Sequence, residues 1–359
     1  MPWRLDAGDG VRRVGWDVGG AHVKACLVEG RRIVDVAQWP CPLWRGLEQL
    51  DAVVAVARGR WPAAWDAKTR HAATMTGEMV DCFVDREDGV ARLSARLAEA
   101  LGPSLRLYRA GAGFCAPHDG ARRWREIASA NWRATADVLA PRLRDALLVD
   151  IGSTTTDLIA LREGKVIAIG ESDAERLATG ELLYHGVVRT PLCALAPRVV
   201  FDGRVVNVMN EFFATTADVY RLTGELDPAH DQHPSADGGP KDAEATRRRL
   251  ARMVGRDARD HPPSQWRALA ESWREAQLVD IESQLQRVIA ASGLCRDAPV
   301  AGAGCGAFLA RELARRTGRR FTAFAAAACP TPPADAACSR WIDVCAPAVA
   351  VALLAAHED

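Results

Sequence analysis

Two stretches of this chain repeat one pattern, and that repetition restricts the fold more than any other feature. The first runs Val-Gly-Trp-Asp-Val-Gly-Gly-Ala-His-Val-Lys from Val14 to Lys24, continues through an apolar strand to a Glu29-Gly30 turn, and ends in a strand from Arg32 to Gln38. The second runs Leu-Leu-Val-Asp-Ile-Gly-Ser-Thr-Thr-Thr-Asp from Leu147 to Asp157, then a Glu163-Gly164 turn and a strand from Lys165 to Ile169. Each copy reads as a buried strand ending in Asp, a Gly two residues on, a turn of small residues and two further strands. Asp17 thus corresponds to Asp150, Gly19 to Gly152 and Gly20 to Ser153. A strand that ends in Asp delivers a carboxylate to the sheet edge, where it can hold a hydrated Mg²⁺. The glycines and small residues let backbone N–H groups turn towards phosphate oxygens. One such hairpin arises easily by chance. Two, each opening half of the chain, predict a duplicated phosphate site.

A third element fits the same scheme. Ala298 to Leu313 reads as a strand, a turn with Gly302, Gly304 and Gly306, and a helix. Such a turn lets a ligand approach the backbone at a helix start, although it serves close helix–strand packing equally well. In this order, two phosphate loops followed by a Gly-rich loop resemble the actin/hexokinase/Hsp70 superfold. That resemblance implies an α/β protein of two similar lobes, of the actin-like ATPase/sugar-kinase, ribonuclease H-like kind, with the site in a cleft between them. The first lobe is expected over residues 1–145 and the second over 146–337, with about 338–359 crossing back onto the first.

Composition excludes several function classes. Lys+Arg and Asp+Glu both number 46, so no net field draws the chain to nucleic acid or an anionic membrane. Met1 to Gly10 lacks the apolar segment of a signal peptide, and the longest apolar run, Val344 to Ala356, is short and broken by Pro347. A cytoplasmic protein is expected. The ten cysteines form no Cys-x-x-Cys pair, which favours buried thiols in a reducing compartment over a disulfide framework or zinc site.

Further segments carry candidate site residues. Thr74 to Phe83 holds Glu78 and Asp81, three apart, placed either on one helical face as base and ligand or as acidic residues of a capped helix start. Ser129 to Thr135 offers Asn131 and Trp132 for an organic substrate, with a core position as the alternative for Trp132. Thr179 to Pro191 concentrates Glu181, Tyr184, His185 and Arg189 in a turn-rich stretch. Asn210 to Asp218 is helical in pattern, with Asn210 able to reach ligand and Phe212 and Phe213 read as core. Asp231 to Lys241 reads as a surface loop or mobile lid whose Lys241 could meet a phosphorylated substrate, and Arg248 and Arg249 as a solvated helix face.

Taken together, Gly15–Ala25, Thr74–Phe83, Ser129–Trp132, Tyr184–Pro191 and Met209–Thr215 resemble a hydantoinase/oxoprolinase-related family linked to tetrahydromethanopterin one-carbon metabolism, whose archaeal members make the furan–phenol ether of methanofuran. The resemblance covers nearly the whole chain. It implies a transferase that couples an aminomethyl-furanmethanol diphosphate to a tyramine- or tyrosine-type phenol and releases diphosphate. Carried over by position, Asp17 and Asp150 would hold Mg²⁺. Lys24, Gly19, Gly20, Gly152, Ser153, Thr154 and Thr155, with Gly302 and Gly304, would hold diphosphate. Asp81 or Glu78 would act as base, and Asn131, Trp132, Glu181, His185, Arg189 and Asn210 would contact substrate. Ala21 stands where many kinases of the superfold have Thr, so ATP binding is left open. The rivals are an ATP-dependent kinase or ring hydrolase and a nucleotide-switched activator; a homodimer is compatible with each. Dispersed cysteines argue against an activator's iron–sulfur cluster.

Overall fold

The computed structural model describes residues 10–30, 32–329 and 336–356. The start of the chain read above for a signal peptide, up to Asp9, lies outside them. The chain divides into two compact units: the described parts of Met1–Arg144, Glu163–Val166 and Phe324–Asp359 form one, and Asp145–Arg162 with Ile167–Ala323 the other. The return to the first unit therefore starts at Phe324, earlier than the expected 338.

The first unit is built on Arg12–Val18 (β1), His22–Glu29 (β2), Arg32–Pro40 (β3), Arg70–Met75 (β4), Leu105–Arg109 (β5) and Gly113–Cys115 (β6). Their order is β3-β2-β1-β4-β5-β6, with β1–β2 and β2–β3 antiparallel and β1–β4 and β4–β5 parallel. The sequence dictates which face each side chain takes. Val14, Trp16 and Val18 alternate on β1 and pair with Leu27, Ala25 and Val23 on β2. All six are buried, in one core with Leu50, Val53 and Val54 of the helix Glu48–Arg60 and Val90, Leu93 and Leu97 of the helix Arg86–Leu101.

The opposite face carries Gly15 and Asp17. It receives the helix Ala346–Ala355, so the apolar run near the chain's end is a core helix, with Ala346–Leu353 buried. A Cβ on Gly15 would fall 2.1 Å from the Ala348 carbonyl oxygen, so only glycine permits this packing. Among the described residues no single helix is long and apolar enough to cross a membrane.

The second unit repeats the scheme. Ala146–Ile151 (β7) and Thr156–Arg162 (β8) form the hairpin, and Lys165–Ile167 (β9) follows in sequence. Leu182–Leu183 (β10) pairs with β8. Arg198–Phe201 (β11) and Arg204–Asn207 (β12) make a separate two-stranded ribbon. Val300–Ala303 (β13) runs parallel to β7, and Phe321–Ala323 (β14) parallel to β13. The main sheet thus reads β10-β8-β7-β13-β14. Its core draws on the thirty-residue helix Pro263–Ser292, with Trp266, Trp273, Leu278 and Ile281 fully buried.

Three expectations fail in this unit. Arg249 does not lie on a solvated face. It is fully buried, its Nε 2.8 Å from Asp218 Oδ1 and its Nη1 3.1 Å from Asp237 Oδ1. The loop from Asp231 to Lys241 is tied down by the same network: Arg221 donates to Asp231 at 2.7 Å, and Lys241 Nζ lies 3.0 Å from Asp231 Oδ1. Lys241 is thus committed to the loop that carries it. Phe212 is 56% exposed rather than core.

Neighbouring arginines then give a direct test. Arg249→Met removes one of the two guanidinium groups that hold the buried Asp218, leaving Arg221 at 2.7 Å, and is expected to cost about 1.5–3 kcal/mol. Arg248, exposed and paired only with Glu244 on its own helix, is expected to tolerate Met within about 0.5 kcal/mol. Urea unfolding of the two variants checks the contrast; equal effects would contradict the buried network.

Candidate functional site

The two hairpin turns have the same geometry. In the first, Gly19 N–H donates to the His22 carbonyl at 2.9 Å; in the second, Gly152 N–H donates to the Thr155 carbonyl at 2.9 Å. The fourth strands close on them alike: Thr76 N–H reaches the Val18 carbonyl at 3.0 Å, and Gly306 N–H the Ile151 carbonyl at 2.8 Å. Asp17 and Asp150 therefore hold equivalent places at the carboxyl ends of the central strands of their own sheets, where open α/β sheets bind ligands.

In the first unit, register assembles a polar row on the face that Asp17 occupies. Gln38 pairs with Lys24, Lys24 with Asp17, and Asp17 with Thr74, one residue from each of β3, β2, β1 and β4. Asp17 is 4% exposed, and Lys24 Nζ lies 3.7 Å from its Oδ2. Lys24 is thus no solvated strand lysine; it sets a positive charge beside Asp17 near the Gly19–Gly20 turn. A Cβ on Gly20 would meet the Val80 side chain at 2.8 Å, which keeps that turn closely packed.

The two acidic candidates after β4 separate. The helix there is a single 3₁₀ turn, Gly77–Met79, so Glu78 and Asp81 share no helical face. Glu78 is fully buried and accepts from the Ser129 hydroxyl at 2.8 Å, whereas Asp81 is exposed on the following turn. Only Asp81 can meet a substrate without rearrangement. Trp132 is 3% exposed and belongs to the core, and Asn131 Oδ1 accepts the Trp132 N–H at 2.8 Å.

The second unit gathers its candidates more tightly. The half-exposed turn Gly152–Thr155 lies against the segment Gly186–Arg189: Val187 N–H donates to the Gly152 carbonyl at 3.1 Å, and Arg189 N–H to the Ser153 carbonyl at 2.9 Å. Arg189 Nη1 then reaches the Thr154 hydroxyl at 3.2 Å. Burial pulls this guanidinium below its ordinary pKa, opposed by the nearby Tyr184 phenol; arginine remains charged all the same. Gly186 makes the contact possible, because its Cβ would fall 2.4 Å from the Gly152 carbonyl oxygen. Gly304, at φ +81°, has the same function on the other side: a Cβ there would meet the Ile151 carbonyl oxygen at 2.1 Å and Asp150 Oδ1 at 2.6 Å. Gly302 does not belong to this group. It is buried in β13, where a side chain would strike the Phe321 ring, so its role is packing.

Of three other expected substrate contacts, Glu181 and His185 are engaged within the fold and Asn210 is exposed. Glu181 is fully buried and accepts from the backbone N–H groups of Ile169 and Gly170 and from the Thr179 hydroxyl, each at 2.8 Å. His185 has both ring nitrogens engaged, Nε2 with Asp280 at 2.8 Å and Nδ1 with Gln277 at 3.2 Å. Asn210 is exposed on a bend, because the helix expected to contain it starts only at Thr216. The sequence reading passed over Gln277, Asp280 and Gly186. The first two come from a long helix remote in sequence and carry no motif; Gly186, next to His185, was a signal available to it.

The arrangement provides two turns of small residues, each with one carboxylate and one cation within its unit, a chemistry suited to anionic oxygens. Acetone carboxylase in its nucleotide-free structure is similar in fold: 9% identical, with a TM-score of 0.51 over 86% of this chain and 68% of that one. With the hairpin-plus-parallel topology found twice, this places the chain in the actin-like ATPase/sugar-kinase fold. A protein of Methanocaldococcus jannaschii named (4-{4-[2-(γ-L-glutamylamino)ethyl]phenoxymethyl}furan-2-yl)methanamine synthase is 29% identical over 245 residues, 68% of this chain and 72% of that protein. The Methanococcus vannielii protein of the same name is 36% identical over 114 residues, 32% of this chain and 51% of its own length. The hydantoinase/oxoprolinase family model matches residues 70–327, well over half of the sequence. The chain belongs to the hydantoinase/oxoprolinase family.

Proposed function

We propose that this protein is a transferase of methanofuran-type cofactor synthesis, serving tetrahydromethanopterin-linked one-carbon chemistry. It couples an aminomethyl-furanmethanol diphosphate to a tyramine- or tyrosine-type phenol. The observation that carries this reading is the pair of glycine turns, each with its own cation, Lys24 in one and Arg189 in the other. The relatives' printed name, which spells out a phenoxymethyl-furan ether, supports it.

The chemistry asked of the residues is limited. The bond between the furan-bearing methylene carbon and the diphosphate oxygen breaks, and the phenol oxygen bonds to that carbon. The phenol proton leaves to a base, and diphosphate departs with the electron pair. Within its own unit, each of Lys24 and Arg189 offers a positive charge to a phosphate oxygen at its turn, and the turn N–H groups add oriented dipoles. Asp81, exposed, is the carboxylate available to take the proton from a phenol whose pKa is about 10. Glu78, fully buried, accepts from the Ser129 hydroxyl instead.

The residues present fit Mg²⁺. Among the described residues no cluster of three or more His, Cys, Asp or Glu side chains is arranged for a metal, which leaves single carboxylates. Mg²⁺ commonly takes one or two carboxylates and completes its shell with water and substrate phosphate. Asp150, beside Gly304, would hold it in the second unit, and Asp17 is the equivalent carboxylate of the first; bound there, it would supply charge neutralisation for a departing diphosphate.

Incubating the protein with the furan diphosphate and candidate phenols, with and without ATP, tests the proposal by mass spectrometry. The ether is expected without ATP. ATP consumption with no ether would favour a kinase or ring hydrolase instead. Asp150→Asn is expected to lower kcat about 100-fold or more at a nearly unchanged melting temperature; parental turnover would put the metal elsewhere. Lys24→Met should lower kcat/KM about 100-fold, and also stability, since it deprives Asp17 of its neighbour. Comparing Asp17→Asn with the double variant Asp17→Asn/Lys24→Met for diphosphate binding without Mg²⁺ separates the roles. Weaker binding in the double variant is expected if Lys24 meets the diphosphate; equal binding would make Lys24 a mere counter-charge to Asp17.

A further inference from the structure

Tyr184 stands out on the second unit. It is 60% exposed and directly follows Leu183, which pairs with Thr156 at the end of the Gly152–Thr155 turn; the half-buried Arg189, five residues on, touches Thr154 of the same turn. An exposed tyrosine is ordinary by itself. This one projects from a corner that the fold holds rigidly. Thr156 Oγ1 donates to the His185 carbonyl at 2.8 Å, and Gln277 Nε2 donates to the Gly186 carbonyl at 3.1 Å. The Gln277 carbonyl oxygen is itself held by the buried Tyr220 hydroxyl at 2.6 Å, and Asp280 fixes the His185 ring at 2.8 Å. Gly186 N–H closes the corner onto Thr190 Oγ1 at 2.8 Å. Three of these hydrogen bonds hold backbone groups of His185 and Gly186, and the other two hold the Gln277 and His185 side chains around them.

We propose that Tyr184 and Arg189, with the Gly152–Thr155 turn, form a subsite for an aromatic ring carried on a diphosphate: Arg189 and Thr154 take the anion, and the Tyr184 ring packs against the aromatic group. The inference rests on the anion-binding role given above to this turn, and adds the residue that reads the organic part of the substrate. An aromatic face offers an aryl or furyl ring dispersion and quadrupole contact while its hydroxyl stays in water. The Arg189 guanidinium offers planar donors to phosphate oxygens. Charge and ring thus belong to one turn, as an arylmethyl diphosphate requires. His185 is a positioning residue here, because it touches neither group and acts by fixing the corner.

Calorimetric titration in the presence of Mg²⁺ tests this with three probes: benzyl methylenebisphosphonate, unsubstituted methylenebisphosphonate, and ADP. The parent protein should bind the benzyl probe about tenfold more tightly than the unsubstituted one, equal to about 1.4 kcal/mol. Tyr184→Phe should keep that advantage. Tyr184→Ala should erase it and leave the unsubstituted probe unaffected. Arg189→Met should weaken both bisphosphonates, with Arg189→Lys as the check that a folded protein retains part of the binding. If Tyr184→Ala leaves the tenfold ratio intact, or the parent binds both bisphosphonates equally, the aromatic subsite is overturned while the anion turn stands. If Tyr184→Ala weakens ADP by the same factor, the ring reads adenine and the proposal also fails. If the parent binds neither bisphosphonate, the anion turn itself fails, and the proposed function loses its carrying observation.

Discussion

A single backbone hydrogen bond in each half, Gly19 to His22 and Gly152 to Thr155, closes the turn on which everything else depends. Closing a strand–turn–strand unit this tightly brings the end of the first strand, with its Asp, beside the start of the second. The parallel strand that follows then caps the same edge, through Thr76 in one unit and Gly306 in the other. Side chains are excluded where these backbones meet. Gly304 illustrates this: its positive φ is one that L side chains rarely adopt, and the Ile151 carbonyl leaves no room for a Cβ. Small residues at these points are therefore a steric requirement of the turn, before any ligand is considered.

The two halves share geometry and differ in charge. The register that sets Lys24 against Asp17 sets Asp157 against Asp150. In the second unit that extra carboxylate is bound by the buried Arg176 at 2.7 Å, and the cation at the turn comes instead from Arg189, in the segment that follows β10. One cation per turn is reached by two routes. The two turns thus share backbone geometry and draw their cations from different elements.

The repeat and the location of the glycine turns were readable in the sequence, because strand alternation and obligatory small residues leave local marks. What escaped was decided by which face a residue takes. Arg248 and Arg249 are neighbours with the same propensity, yet one is solvated and the other is the hub of a buried network. Gly302 and Gly304 sit in one turn-like string, but the first packs under Phe321 and only the second borders Asp150. Glu181 resembled a ligand because it is polar in a turn, and the backbone amides that satisfy it lie eleven and twelve residues away. The late helix start was detectable: Asp218 accepts the Thr215 N–H at 3.1 Å, the return half of a capping box written in the sequence as Thr-x-x-Asp.

The central claim is that the turns receive a diphosphate as leaving group while an ether forms at carbon. Labelling addresses it directly. The furanmethanol diphosphate would carry ¹⁸O in the oxygen bridging carbon and phosphorus, and the products would be separated and weighed by mass spectrometry. The account predicts that the label departs wholly with diphosphate and that the ether, holding the phenol's own oxygen, is unlabelled. Label retained on the furan side, with phosphate transferred to the phenol, would show attack at phosphorus and contradict it.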